Sequence, residues 1–292
     1  MSEPFRQPID ACTRYCAVFG HPIKHSASPA MQNAGIAALG LNWRYLAFEV
    51  LPENLRAAIA GAKRMGFVGL NLTVPHKLLA VEMVDVLDDS AKIWGAVNTI
   101  RFAPDGNGII RTHGFNTDAD AITRSLREDL SVELRGAKVL LLGAGGAGRV
   151  AALKLAADGV GELHLVNRTE AKAAAVADEI RTRSPGVKVG VGYPCAAVDL
   201  VLNATSLGLR AEDSLPCAVE KFSLGQTRAV YDMVYRPAET ALLHAAKAAS
   251  CRTANGLGML LYQGAKALEI WSGQPAPVEI MRCALTQNVY GN

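Results

Sequence analysis

The stretch Val139-Leu-Leu-Leu-Gly-Ala-Gly-Gly-Ala-Gly148, running on into Arg149-Val-Ala-Ala-Leu-Lys-Leu-Ala156, constrains this chain more than any other. Four apolar residues in a row read as a strand buried on both faces. A glycine-rich turn follows, and apolar residues set among alanines then open a helix. Strand, turn and helix are the first half of a βαβ unit that binds a dinucleotide. Gly143 lets the chain turn tightly off the strand, Gly145 and Gly146 let backbone N–H groups approach a pyrophosphate, and Gly148 lets the helix pack close on the sheet. The helix then presents the positive end of its dipole to the phosphates.

The second strand of the unit, Glu162-Leu-His-Leu-Val166, selects the dinucleotide. A carboxylate that would hold the ribose 2′-hydroxyl of NAD belongs about twenty residues after the glycines. This chain has Asn167-Arg168-Thr169 there, with Lys172 one helical turn on. A guanidinium, a hydroxyl and an ammonium suit a 2′-phosphate. Cations are also unfavourable at a helix start unless an anion joins them. The expected cofactor is NADP.

Length and charge narrow the class. The 292 residues suit one large or two ordinary domains. Thirty basic against 27 acidic residues leave +3, too even a balance for a nucleic acid or a membrane surface as partner. No run of 18 apolar residues reads as a membrane span. The opening residues Met1 to Arg6 carry no apolar signal core, so a cytoplasmic protein is expected. The six cysteines form no CxxC pair. Cys12 and Cys16 lie near His21 and His25, but free thiols in a reducing compartment are the better reading, and no metal is expected.

Along the rest of the chain, strands and helices alternate. Strands are expected at Tyr15 to Phe19, Trp43 to Val50, Phe67 to Thr73, Ala96 to Phe102 and Ile109 to His113. The last two are joined by the hairpin turn Pro104 to Gly108, at one edge of a largely parallel sheet. A helix starts with Ser28 as N-cap and Pro29 at the first helical position, and stops at Gly40. Pro52 opens a second helix, and Val74-Pro-His-Lys77 enters a third. A helix from about Ala119 to Leu130 precedes the glycine motif. Strands at Val187 to Val191, Asp199 to Asn203 and Ala229 to Met233 and a helix at Ala238 to Ala249 follow it. A long helix after Asn255 and a final one from Pro277 close the chain.

Polar residues collect where these strands end, the place where open α/β sheets bind ligands. Ser26 and Ser28 put two hydroxyls beside a helix N-terminus, an anion site suited to a carboxylate. Asn71 and Thr73 share one face of their strand, with Lys77 after a proline-fixed turn; Asn98 and Asp118 follow. A nicotinamide acting on an alcohol needs a group to take the hydroxyl proton as hydride leaves. Lys77 and Asp118 are the natural pair for it, and either could carry the proton.

The motifs Val18-Phe-Gly-His-Pro-Ile-Lys-His-Ser-Ala-Ser-Pro29, Asn71-Leu-Thr-Val-Pro-His-Lys77, Gly95-Ala-Val-Asn-Thr99, Asn116-Thr-Asp118, Gly143-Ala-Gly-Gly-Ala147, Asn167-Arg-Thr169, Asn203-Ala-Thr205, Tyr231-Asp-Met-Val-Tyr235 and Asn255-Gly-Leu-Gly-Met259, taken in register, resemble shikimate dehydrogenase over essentially the whole chain. The resemblance implies NADPH-dependent reduction of 3-dehydroshikimate to shikimate, on the route to chorismate and the aromatic amino acids. It implies an α/β fold of two domains. The substrate domain, with a mostly parallel sheet, takes residues 1–116 and 256–292, and a Rossmann-type NADP-binding domain takes 117–255. Ser26 and Ser28 would hold the substrate carboxylate. Asn71, Thr73, Asn98 and Asp118 would bind its hydroxyls, Lys77 would be the acid/base, and Tyr235 and Gln263 would complete the substrate site. Gly143, Ala144, Gly145, Gly146 and Ala147 would hold the pyrophosphate, with Asn167, Arg168, Thr169 and Lys172 at the 2′-phosphate. Thr205, Met233 and Gly256 would line the nicotinamide side, and Asp89 matches a further position near the cofactor. The expected partner is the small-molecule substrate, to a monomer or homodimer. The chain departs from the family pattern at Ala119 and Ala121, where glycines are usual, and at Asn255, where an aspartate is frequent; His76 occupies a variable position. Competing readings are a quinate/shikimate dehydrogenase using NAD or NADP, a methylenetetrahydrofolate dehydrogenase, for which the paired serines have no reason, and a non-catalytic NADP-binding protein, which would lack Lys77 or Asp118.

Overall fold

The computed structural model describes residues 8–210 and 212–291. Residues 1–7, in which the absence of a signal core was read, lie outside the described residues. The chain forms two compact units, Met1–Asp118 with Leu260–Asn292, and Ala119–Met259.

The first unit opens with β1 (Arg14–Gly20), exposed at its first two residues and buried over the other five. Then come α1 (Ser28–Ala38) and β2 (Trp43–Glu49), parallel to β1. Pro52 starts a 3-10 turn (Pro52–Asn54) rather than an α-helix, and α2 (Leu55–Arg64) continues from it. The fully buried β3 (Gly69–Leu72) pairs with β1. The helix expected after Lys77 is only a 3-10 turn, Leu79–Glu82. The short β4 (Val86–Leu87) and α3 (Asp89–Trp94, capped by Asp88) were not expected. The hairpin β5 (Thr99–Pro104) and β6 (Ile110–Phe115) forms as expected but does not lie at the edge. The sheet order is β2-β1-β3-β5-β6-β4, so β4 closes that side. At the other border, Asn33 of α1 donates to the Tyr45 carbonyl (2.8 Å) and accepts from the Tyr45 N–H (2.9 Å), while Arg44 donates to the Trp43 carbonyl (2.7 Å).

The chain leaves this unit at the start of α4 (Asp118–Leu130). In the second unit β7 (Lys138–Leu142), α5 (Gly146–Ala157), β8 (Glu162–Val166), α6 (Glu170–Arg183) and β9 (Lys188–Val191) make one half-sheet. The strands β10 (Val198–Asn203) and β11 (Thr227–Asp232), the helix α7 (Ala241–Ala248) and an unexpected β12 (Arg252–Asn255) make the other. The order β12-β11-β10-β7-β8-β9, parallel throughout, reverses direction between β7 and β10, and a crevice at such a switch point is where α/β sheets bind dinucleotides. The helices α8 (Leu257–Ser272), in which the chain returns to the first unit, and α9 (Val278–Tyr290) complete the molecule. Gln32 of α1 ties into this return by donating to the Gly264 carbonyl (2.8 Å).

The glycine turn after β7 needs its glycines for two distinct reasons. Gly143 has φ +102, a region open to glycine. At Gly148 a Cβ would strike the Gly143 carbonyl oxygen, so the first turn of α5 sits directly on the turn that starts it. Gly148→Ala is expected to cost about 1–3 kcal/mol, since backbone rather than a flexible side chain must move. A melting temperature equal to that of the unmodified protein would contradict this.

Candidate active site

β3 ends at Leu72 and the chain turns through Thr73 to Lys77. Two contacts make that turn rigid. The buried His76 ring reaches the Val50 carbonyl through Nε2 (2.8 Å), and the Val97 N–H donates to the Lys77 carbonyl (2.9 Å). Burial pushes the His76 pKa down, so the ring stays neutral and works as a strut. The residue after the strut, Lys77, aims its ammonium at Asp118: Nζ donates to Oδ2 at 2.7 Å. The lysine side chain is 29% exposed and the aspartate 10%, so the pair is sheltered but still open to a ligand.

Asp118 is held from three sides. It is the first residue of α4, where the helix dipole favours an anion. Its N–H donates to Asn116 Oδ1 (3.1 Å), and its Oδ1 accepts from Asn98 Nδ2 (2.8 Å). Asn98 is locked in turn, since Oδ1 accepts from the Thr117 N–H (2.8 Å) and Nδ2 also donates to Thr117 Oγ1 (2.9 Å). Asn71 donates to Thr99 Oγ1 (3.0 Å) and to the Asn98 carbonyl (3.3 Å), and accepts from the Tyr45 hydroxyl (2.8 Å). Lys77, Asp118, Asn98 and Asn71 are therefore one connected group. Thr73 stands beside it, half-buried, and its hydroxyl has no partner among the described residues.

The two serines are arranged differently from expectation. The N-cap of α1 is Ala27, already in the right-handed helical region, so Ser28 is the first helical residue and makes no cap. The helix's first N–H donates to Ser26 Oγ, 3.4 Å from the Ser28 nitrogen. Ser-Ala-Ser-Pro offers two hydroxyls, and proline is tolerated one place further into the first turn, which shifts the boundary by one residue. Gln263 lies half-buried on α8 and donates to the Leu260 carbonyl (2.8 Å). Tyr235 belongs to the second unit, beyond β11.

In the second unit the glycine turn meets its neighbours closely. Ala144 N–H donates to Asn167 Oδ1 (3.0 Å), and Asn167 Nδ2 donates to the Thr169 carbonyl (2.8 Å), so Asn167 binds the turn after β7 to the loop after β8. Gly145 is the N-cap of α5 with no side-chain cap, and a Cβ at Gly145 or Gly146 would meet nothing within 4 Å, so the backbone around Ala147 opens onto clear space. Thr169 takes the N-cap position of α6, yet its side chain does not cap. Arg168 and Lys172 are exposed, and neither side chain has a partner among the described residues. Thr205 donates to Asn203 Oδ1 (2.7 Å), and the Met233 N–H donates to the Asn203 carbonyl (2.9 Å). The Gly256 N–H donates to the Val234 carbonyl (3.3 Å). Asp89, by contrast, is in the first unit, exposed at the start of α3 and paired with Lys92 (3.0 Å).

Several residues of these networks carried no role in the sequence. Thr99, Asn116 and Thr117 stood inside the motifs but unassigned, and Tyr45 lay in a plain alternating strand. Asp232 is fully buried, accepting from Asn203 (2.9 Å), Thr240 (2.6 Å) and the Val234 N–H (3.0 Å). Burial pushes its pKa up, while these donors oppose the rise. It ties the loops after β10 and β11 together.

Comparison with known proteins agrees with this architecture. The family description "Shikimate dehydrogenase substrate binding domain" matches residues 18–100, "Shikimate / quinate 5-dehydrogenase" residues 125–206, and "Shikimate 5'-dehydrogenase C-terminal domain" residues 256–286. A shikimate dehydrogenase (NADP(+)) of Methanopyrus kandleri is 42% identical over 289 residues, 96% of this chain and 98% of the relative. That of Methanosarcina acetivorans is 44% identical over 277 residues, 92% and 96% of the two chains. A crystal structure of shikimate dehydrogenase in complex with NADP+ superposes with a TM-score of 0.88 at 38% identity, covering 98% of this chain and 99% of that one. The chain belongs to the shikimate dehydrogenase family.

Proposed function

We propose that this chain catalyses the reversible, NADPH-dependent reduction of 3-dehydroshikimate to shikimate, a step towards chorismate and the aromatic amino acids. The observation that carries the reading is the Lys77–Asp118 pair, clamped by Asn98 and joined to Asn71. The first unit is then the substrate domain and the second the NADP domain. NADP fits the second unit on two counts: open backbone at Gly145 and Gly146 for a pyrophosphate, and the unpartnered cations Arg168 and Lys172 where NAD would call for a carboxylate. When bound, the cofactor supplies the hydride.

The chain's own residues do the rest. Ser26 and Ser28 anchor the substrate carboxylate. Thr73, Asn71, Asn98, Gln263 and Tyr235 orient the ring, and Asp118 accepts a ring hydroxyl while keeping the Lys77 ammonium in place. In the reducing direction Lys77 Nζ gives its proton to the carbonyl oxygen as that oxygen gains charge, and takes one back from solvent at its open edge. Asp89 would act on the cofactor side of this reaction. The reading takes the enzyme as cytoplasmic, a monomer or homodimer, with small molecules as its ligands. Purified protein offered NADP or NAD with shikimate or quinate, and followed at the nicotinamide absorbance, is expected to turn over shikimate with NADP fastest. Preference for quinate or for NAD would overturn the corresponding half of the proposal.

A further inference from the structure

The proposed substrate groups of the first unit rest on a tyrosine to which nothing above gives a role. Tyr45 is fully buried at the middle of β2, its ring 6.1 Å from that of Trp271. Its hydroxyl meets a candidate substrate residue, donating to Asn71 Oδ1 at 2.8 Å.

The direction of each bond follows from the donor inventory. The Asn98 carbonyl can only accept, so the nitrogen of the Asn71 amide must face it and the oxygen must face Tyr45. Tyr45 therefore spends its one hydrogen on Asn71. Burial pushes the phenol well above its ordinary pKa, so the hydroxyl keeps that hydrogen. From Tyr45 the chain of bonds runs without a break through Asn71, Thr99, Asn98 and Asp118 to Lys77, every link at 3.3 Å or less.

We infer that Tyr45 is a positioning residue for substrate binding, fixing the orientation of the Asn71 amide before substrate arrives. This rests on the reading of the site as a shikimate site. Removing the hydroxyl leaves Asn71 Oδ1 without a donor and lets the amide turn, whereas Asp118 keeps its bonds to Asn98 and Lys77. The loss falls on binding common to ground and transition states, which raises KM and spares kcat.

Tyr45→Phe preserves the ring and its packing and removes only the hydroxyl. The expected result is a KM for shikimate raised about tenfold, the size of a lost hydrogen bond that strands a buried acceptor, with kcat within about twofold and the KM for NADP unchanged. Combined with Asn71→Ala, the two effects on KM should be less than additive, because the partners share one bond. As a structural control, Trp271→Phe removes a buried hydrogen bond to the Ile100 carbonyl (2.9 Å) beside the same ring. It should lower the melting temperature without the KM effect. A Tyr45→Phe enzyme that melts lower but keeps its KM for shikimate, or fully additive effects in the double variant, would overturn the inference. Failure of the unmodified protein to oxidise shikimate would refute the substrate reading itself, whatever Tyr45→Phe does to stability.

Discussion

Lys77→Ala is expected to lower turnover by about 10²–10⁴-fold, the usual worth of a positioned acid or base. The melting temperature and the Kd for NADP should stay nearly unchanged, since the ammonium is partly exposed and the cofactor candidates of the glycine turn and α6 belong to the other unit. The strut at His76 and the bond from Val97 to the Lys77 carbonyl do not involve the lysine side chain, so the turn survives the change. Lys77→Arg separates charge from proton transfer. A guanidinium pairs with Asp118 but does not release a proton near neutral pH. Near-normal turnover in Lys77→Arg would show that the lysine is only an anchor, with Asp118 or a water moving the proton. Stopped-flow or steady-state rates at the nicotinamide absorbance decide between these outcomes.

Arg168→Asp is expected to weaken NADP about ten- to a hundredfold, through one lost charged hydrogen-bonding partner and a carboxylate facing the 2′-phosphate. NAD should gain, because a carboxylate after the second strand is the group that holds a ribose 2′-hydroxyl. The side chain has no partner among the described residues and the Thr169 hydroxyl does not cap α6, so the substitution disturbs no bond of the fold. Equal use of both cofactors by the unmodified protein, or an unaltered NADP to NAD ratio in the variant, would remove Arg168 from cofactor choice.

What could be read from the chain, and what could not, divides by the range of the interactions. Long periodic segments such as Lys138–Leu142 and Gly146–Ala157 carry their own pattern, and the glycine turn between them is a local backbone requirement. Two-residue β4 and four-residue β12 are too short for an alternation to show, and exist because neighbours offer a ladder. The helix expected to follow Val74-Pro-His-Lys77 meets solvent at Leu78 and Leu79, and only a 3-10 turn forms. The pairing of Lys77 with Asp118 was suggested by chemistry, but its geometry depends on contacts between residues 41 positions apart. Tyr45 was invisible because its partner, Asn71, comes from another strand, and a tyrosine in an alternating strand is ordinary packing.

The bonds that Asn33 and Arg44 make at β2 have a consequence for the protein in concentrated solution. An outermost strand is a template on which another chain can grow a sheet, and β2 shows apolar Leu46 and Phe48 to solvent beside it. At Tyr45 the template is already occupied, by an amide that imitates the rung an incoming strand would form, and the Trp43 carbonyl is covered as well. What remains open, Ala47 to Glu49, is shorter than the segments that nucleate fibrils, so a sticky face is kept from becoming a polymerising one.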